Sequence, residues 1–174
     1  MDNITGMKER KRALKDHNEA LEGRRVSDSH TSLTEFVLPN DANTYGNVLG
    51  GKVMHLIDLA AAVAAHRHCR KTVVTVSVDS LRFLHPVKVG ELMLMDAVVT
   101  RAFRTSMEIQ VEVKSEDLLT GEQKRTCSAF LTFVAIDEDG KPTAVPCLVP
   151  ETDEECERYE DAQRRRQRRL DRES

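Results

Sequence analysis

Up to about residue 30 the chain is charged and poor in apolar positions, with no period that a helix or strand would bury, so a polar N-terminal arm is expected over 1–30. From Thr31 the stretch TSLTEFVLP reads as a strand. A polar, turn-rich segment follows. From Lys52 to about His68 apolar residues run almost all the way round a helix, the pattern of a helix enclosed by its fold. The period then shortens to two. Residues 71–84, 91–103, 105–117 and 124–137 are rich in β-branched and aliphatic side chains, several in alternation, as in MEIQVEV, and HPVKVG, Arg104, LLTGEQ and DEDGK separate or follow them. A meander of mostly antiparallel strands is expected. One alanine-rich helix with about five long strands predicts an α+β domain over 31–150, a curved antiparallel sheet wrapped around one central helix. Ala60, Ala61, Ala62, Ala64 and Ala65 let the sheet approach that helix closely. A single layer leaves one face and its edges open, so association into dimers or larger rings is expected. The last segment, 151–174, carries acids before bases and is expected to be a charged helix or tail, solvated and held by i,i+4 pairs, with a phosphate-contacting arm as the alternative.

Composition narrows the class. At 174 residues there is room for one domain and no second one, and a net charge of −3 excludes a general nucleic-acid binder despite the basic run Arg164–Arg172. No apolar run is long enough to cross a bilayer, and the N-terminal segment is too polar for a signal peptide, so a cytoplasmic protein without membrane contact is expected. The cysteines, Cys69, Cys127, Cys147 and Cys156, are far apart in sequence, which predicts reduced thiols rather than a disulfide frame or a metal site.

The densest chemistry lies in residues 40–58, NDANTYGNVLGGKVMHLID. Pro39, Asn40, Asp41 and Asn43 make a turn. Gly50 and Gly51 then bring the backbone close to whatever lies outside it, and the helix that follows presents unpaired N–H groups and a positive dipole end. Two turns in, Asp58 shares a stripe with Met54, Ala61, Ala62 and Ala65, all apolar, so its carboxylate is either a solvated edge residue, half of an ion pair or a working acid. The run GNVLGGK also fits the spacing of a phosphate-cradling loop, with Asp79 available as a second acid. Val53 nevertheless stands where that loop needs Ser or Thr for magnesium. His66 and His68 are two apart and do not share a helix face, so no metal site is expected there. Ser106, His85 and Asp96 lack a nucleophile elbow and make a poor triad.

Taken in order, PNDAN, GNVLGG, MHLID, SVDSLRFLHPVKVGE and RTSMEIQVEV resemble the hotdog-fold acyl-CoA thioesterases, in particular the cytosolic acyl-CoA hydrolase branch, from about Thr34 to Pro150. Leu49 departs from the aromatic residue or histidine often found before the double glycine in that family. The resemblance implies hydrolysis of acyl-CoA to a free acid and coenzyme A, with no cofactor and no metal. It implies Asn43 and Asp58 as the catalytic pair, drawn from opposite subunits of a homodimer, and an assembly of a dimer or a trimer of dimers. It also places Arg104, Thr105 and Ser106 near the nucleotide part of coenzyme A. In that setting the N–H groups near Gly50 and Gly51 would hold the developing oxyanion, and Asp58 would act as general base or as nucleophile. The alternative is a hotdog module that binds acyl-CoA or a nucleotide without turning it over.

Overall fold

In the computed structural model residues 21–173 are described, so most of the expected arm, 1–20, lies outside the described residues. Paired structure begins earlier than Thr31. Arg24–Arg25 (β1) runs parallel to Leu148–Val149 (β7), and Val26 and Ser29 just beyond it are buried. The main sheet holds five strands: Thr31–Phe36 (β2), Thr72–Phe83 (β3), Leu92–Ala102 (β4), Ser106–Glu116 (β5) and Gln123–Ile136 (β6).

Every pairing in that sheet is antiparallel, in the order β2-β4-β5-β6-β3. Only β4, β5 and β6 form the expected meander. The helix Gly50–Cys69 (α1) connects β2 to β3 across the sheet and so delivers those strands to opposite edges. Alternate residues Met93, Met95, Ala97 and Val99 of β4, Met107, Ile109, Val111 and Val113 of β5, and Leu131, Phe133 and Ala135 of β6 are buried and form one core with Ile57, Ala60, Ala61, Ala64 and Ala65 of α1. The alanines serve the purpose expected of them, a short distance between helix and sheet.

The opposite face of the sheet is not bare. Asp153–Glu173 forms a helix (α2) that opens with a capping box, in which Glu155 N–H donates to Thr152 Oγ1 at 3.1 Å and Thr152 N–H to Glu155 Oε2 at 3.2 Å. Of the charged helix or tail expected over 151–174 the helix forms, but it is docked on the sheet rather than solvated. Arg165 makes a two-pronged ion pair with Glu108, at 2.7 and 3.1 Å, and stacks on Phe130, while Arg169 reaches Asp79 at 2.7 Å. Local pairs such as Arg158–Glu154 at 2.5 Å also form, and Tyr159 and Ala162 of α2 are buried.

Candidate active site

The loop before α1 is shaped by Asn43. Its side-chain oxygen accepts the backbone N–H groups of Tyr45 at 2.9 Å and Asn47 at 3.2 Å, and Gly46 closes the turn at φ +75°, where a side chain would be strained. With the oxygen committed, the amide Nδ2 has no acceptor among the described residues and is free to donate outward. Asn43 and Gly50 line one cavity of about 350 Å³, together with Val48, Val53, Phe83, His85 and Thr126. The helix begins at Gly50 rather than Lys52, and its N-cap, Leu49, provides no side-chain acceptor. The Gly50 and Gly51 N–H groups consequently have no partner among the described residues. The protomer itself does not require glycine here: an added Cβ at Gly50 would touch only the Phe83 ring, at 3.5 Å, and at Gly51 it would meet nothing within 4 Å.

Asp58 does not line that cavity. It lies eight residues into α1, about 12 Å along the axis from Gly50, and is half-buried beside β3. There its Oδ1 accepts the Thr75 hydroxyl at 2.7 Å. Next to Thr75 the pairing of β3 with β6 slips by one residue, a bulge of the kind that re-aims side chains. Thr75 thereby joins the candidate site, and the sequence reading did not include it. On an alternating strand it looked like one more β-branched position.

The remaining candidates fall elsewhere. Arg104, Thr105 and Ser106 form the β4–β5 turn, beside the end of the sheet where β3 starts and α1 ends. Within one protomer they are therefore at the far end of α1 from Gly50 and Gly51. The carbonyls of Arg104 and Thr105 accept N–H groups of Val145 and Ala135, and Ser106 Oγ accepts a hydrogen bond from Arg166 at 3.4 Å. The phosphate-loop alternative is corrected: Lys52 is tied to Glu35 and Asp41, each at 3.3 Å, Val53 is core, and Asp79 pairs with Arg169. No triad assembles, since Asp96 binds His30 and Ser32 while His85 Nδ1 donates to the Arg125 carbonyl. His68 is buried with Nε2 on the Pro146 carbonyl, and His66 is exposed.

A family model of the thioesterase superfamily matches residues 45–122, from just after Asn43 to the residue before β6. The chain is also 43% identical over 137 residues to an uncharacterized acyl-CoA thioester hydrolase of Bacillus subtilis, a match covering 79% of this chain and 80% of the relative. This chain belongs to the thioesterase superfamily. Its α+β hotdog architecture superimposes on that of a hexameric acyl-CoA thioesterase with a TM-score of 0.86 at 44% identity, over 88% of this chain and 99% of that one. It also superimposes on an acyl-CoA hydrolase of Staphylococcus aureus solved with butyryl coenzyme A, coenzyme A and coenzyme A disulfide, with a TM-score of 0.81 at 37% identity, over 86% and 92% of the two chains. Forms of that hydrolase with one aspartate, one threonine or one asparagine replaced by alanine share the same fold. The chain is 39% identical over 142 residues to the cytosolic acyl coenzyme A thioester hydrolase of Rattus norvegicus, and spans 37% of its length.

Proposed function

We propose that this thioesterase hydrolyses acyl-CoA to a free carboxylic acid and coenzyme A at a site shared by two protomers. The observation that carries this reading is the division of the site. Asn43 and the open helix start share a cavity, while Asp58 stands on the side of an edge strand with no neighbour beyond it among the described residues. That edge, β3, exposes Val74, Val76 and Val78, an apolar strand edge of the kind another copy covers. Antiparallel pairing of β3 with itself about a two-fold axis near its middle sets the Thr72 end of one strand beside the Phe83 end of the other. The partner's Asp58, tied to its own Thr75, then arrives at the Asn43–Gly50 cavity. The partner's Arg104–Ser106 turn comes to the same side three strand spacings away, about 14 Å.

In that arrangement the thioester oxygen sits on the Gly50 and Gly51 N–H groups, which take up the charge developing on it, and Asn43 Nδ2 donates to the water or the substrate. Asp58 removes a proton from water as the water oxygen attacks the carbonyl carbon. The carbon–sulfur bond breaks, and the departing thiolate takes the proton. Alternatively Asp58 attacks the carbonyl carbon directly, the carbon–sulfur bond breaks to give a mixed anhydride and the thiolate, and water then opens the anhydride to the acid and free Asp58 while the thiolate takes the proton released. Neither route uses a metal or cofactor. The assembly is a homodimer or a trimer of dimers, as the hexameric relative supports, and the rat relative supports a cytoplasmic location. Among the described residues no helix is long and apolar enough to cross a membrane.

Thiol release from acyl-CoA substrates, measured with a chelator present and no nucleotide, tests this reading. Binding of coenzyme A without turnover would favour the binding module instead. A single turnover in isotopically labelled water tests for the second route: label transferred into Asp58 marks an anhydride opened at its aspartyl carbonyl.

A further inference from the structure

This inference rests on the acyl-CoA reading and concerns the cavity beside Asn43 and Gly50. Its wall is apolar at Val48, Val53, Phe83 and Val87, as a hydrocarbon chain requires, but Thr126 and His85 interrupt it. Alternation alone would turn Thr126 away. Cys127, Ala129, Leu131 and Phe133 of β6 belong to the core, so residues 126, 128 and 130 should face the other side of the sheet, where Phe130 carries the Arg165 guanidinium. Thr126 escapes that pattern. The pairing of β6 with β5 slips between Val113–Cys127 and Lys114–Arg125, which leaves Thr126 as the extra residue of a bulge, and it borders the cavity together with Gly50 and Val53 of α1. The residue is 1% exposed and its Oγ1 has no hydrogen-bond partner among the described residues. A hydroxyl left buried and unpaired costs stability that a valine of the same shape would not.

The backbone beside it is satisfied. The Thr126 carbonyl accepts the Leu84 N–H at 2.8 Å, and the Arg125 carbonyl accepts His85 Nδ1–H at 2.9 Å. That second bond fixes the histidine tautomer: with the proton on Nδ1, the neutral ring presents Nε2 as an acceptor, and His85 borders the same cavity. An unpaired hydroxyl and a ring acceptor thus interrupt one apolar wall. A single ligand oxygen that both donates and accepts would suit the two.

We propose that the acyl group of the substrate carries a hydroxyl at its third or fourth carbon, and that Thr126 is the residue that selects it. Gly50, whose N–H takes the thioester oxygen in the reaction given above, lines the same cavity of about 350 Å³, so the hydroxyl lies only a few atoms from the carbonyl. Thr126 donates to that hydroxyl and His85 Nε2 accepts from it. A plain acyl chain entering the cavity would leave the Thr126 hydroxyl as unpaired as it is in the free protein, and this difference is the source of the selection.

The test compares butyryl-CoA with 3-hydroxybutyryl-CoA and 4-hydroxybutyryl-CoA in wild type, Thr126→Val and Thr126→Ser. In wild type kcat/KM should be about tenfold higher for one of the hydroxylated substrates than for butyryl-CoA, the worth of one hydrogen bond. The ratio should fall to about one in Thr126→Val, and Thr126→Ser, which keeps the hydroxyl, should retain most of it. A wild-type protein without the preference, or a ratio that is the same in wild type and Thr126→Val, overturns the proposal. Thr126→Val should also melt at or above the wild-type temperature, because it removes an unpaired hydroxyl; a lower melting temperature would mean that the hydroxyl is already paired in the free protein, and would overturn the proposal as well. Calorimetry with S-butyl-CoA and its 3- and 4-hydroxylated forms, thioethers that cannot be hydrolysed, should show the same preference in binding. A protein that turns over no thioester but keeps that preference fails the hydrolase reading alone.

Discussion

At the scale of single residues, Asp58 and Asn43 were legible because each breaks a pattern, an acid on an apolar stripe and an amide in a turn leading to a glycine pair. Thr75 broke none. Its meaning arises only where β3 passes α1 and its hydroxyl meets the carboxylate at 2.7 Å. In the proposed reaction the pair has an unequal chemistry: Asp58 would move a proton or form a bond, and Thr75 would aim it. Asp58→Asn should therefore cut kcat at least about a hundredfold, and Thr75→Val about tenfold, with both proteins folded. A folded Asp58→Asn protein with near-normal turnover would remove the assignment. His68 is predicted to act on stability instead. Desolvation lowers its pKa from the ordinary 6.5, Nε2 donates to the Pro146 carbonyl, and Nδ1 is buried with no acceptor among the described residues for the N–H it would carry when protonated. The folded state thus binds this proton less readily than the unfolded chain does. The stability tied to the neutral ring is full above the ordinary histidine value and is lost as the pH falls below it toward the lowered folded one. The melting temperature should drop over that window in wild type and drop less in His68→Gln; equal slopes would assign the effect to another group.

At the scale of elements, periodicity located α1 and the strands well but said nothing of their order. Order depends on where a crossing helix sets its strand down, and α1 carries β3 past β4, β5 and β6 to the far edge. The tail misled for a related reason. Arg165 and Arg169 looked solvated because their acid partners, Glu108 and Asp79, sit on strands, and Glu108 occupies an outward position of an alternating strand. In the fold Glu108 is only 1% exposed, under α2, with Thr100 donating to it at 2.7 Å. Removing its arginine leaves a charge stranded. Arg165→Met is expected to destabilise the protein by about 3 kcal/mol, and adding Glu108→Gln should recover much of that loss. Urea unfolding of both variants checks it. A single variant as stable as wild type would mean that α2 is held by its aromatic stacking alone.

At the scale of the whole molecule, one protomer keeps the proposed pair apart: Asn43 lines a cavity with the helix start at Gly50, and Asp58 lies outside that cavity beside Thr75. The open edge of β3 was foreseeable from a single-layer sheet, whereas the division was expected only from the family resemblance, because sequence spacing cannot tell a contact within a chain from one between chains. Light scattering should find no monomer at micromolar concentration. The decisive experiment mixes Asn43→Ala chains with Asp58→Ala chains, each inactive alone, and lets subunits exchange. In a mixed dimer one site takes Asn43 and the partner's Asp58 from the two intact copies, and the other takes both lesions. Half of the dimers in an equal mixture are mixed, each with one intact site of two, so about a quarter of wild-type activity should return. Recovery near that fraction requires the two residues to act across the seam. If mass spectrometry confirms exchange and the mixture stays as inactive as its parents, Asn43 and Asp58 serve the same chain, or Asn43 does no more than close its own turn through Tyr45 and Asn47.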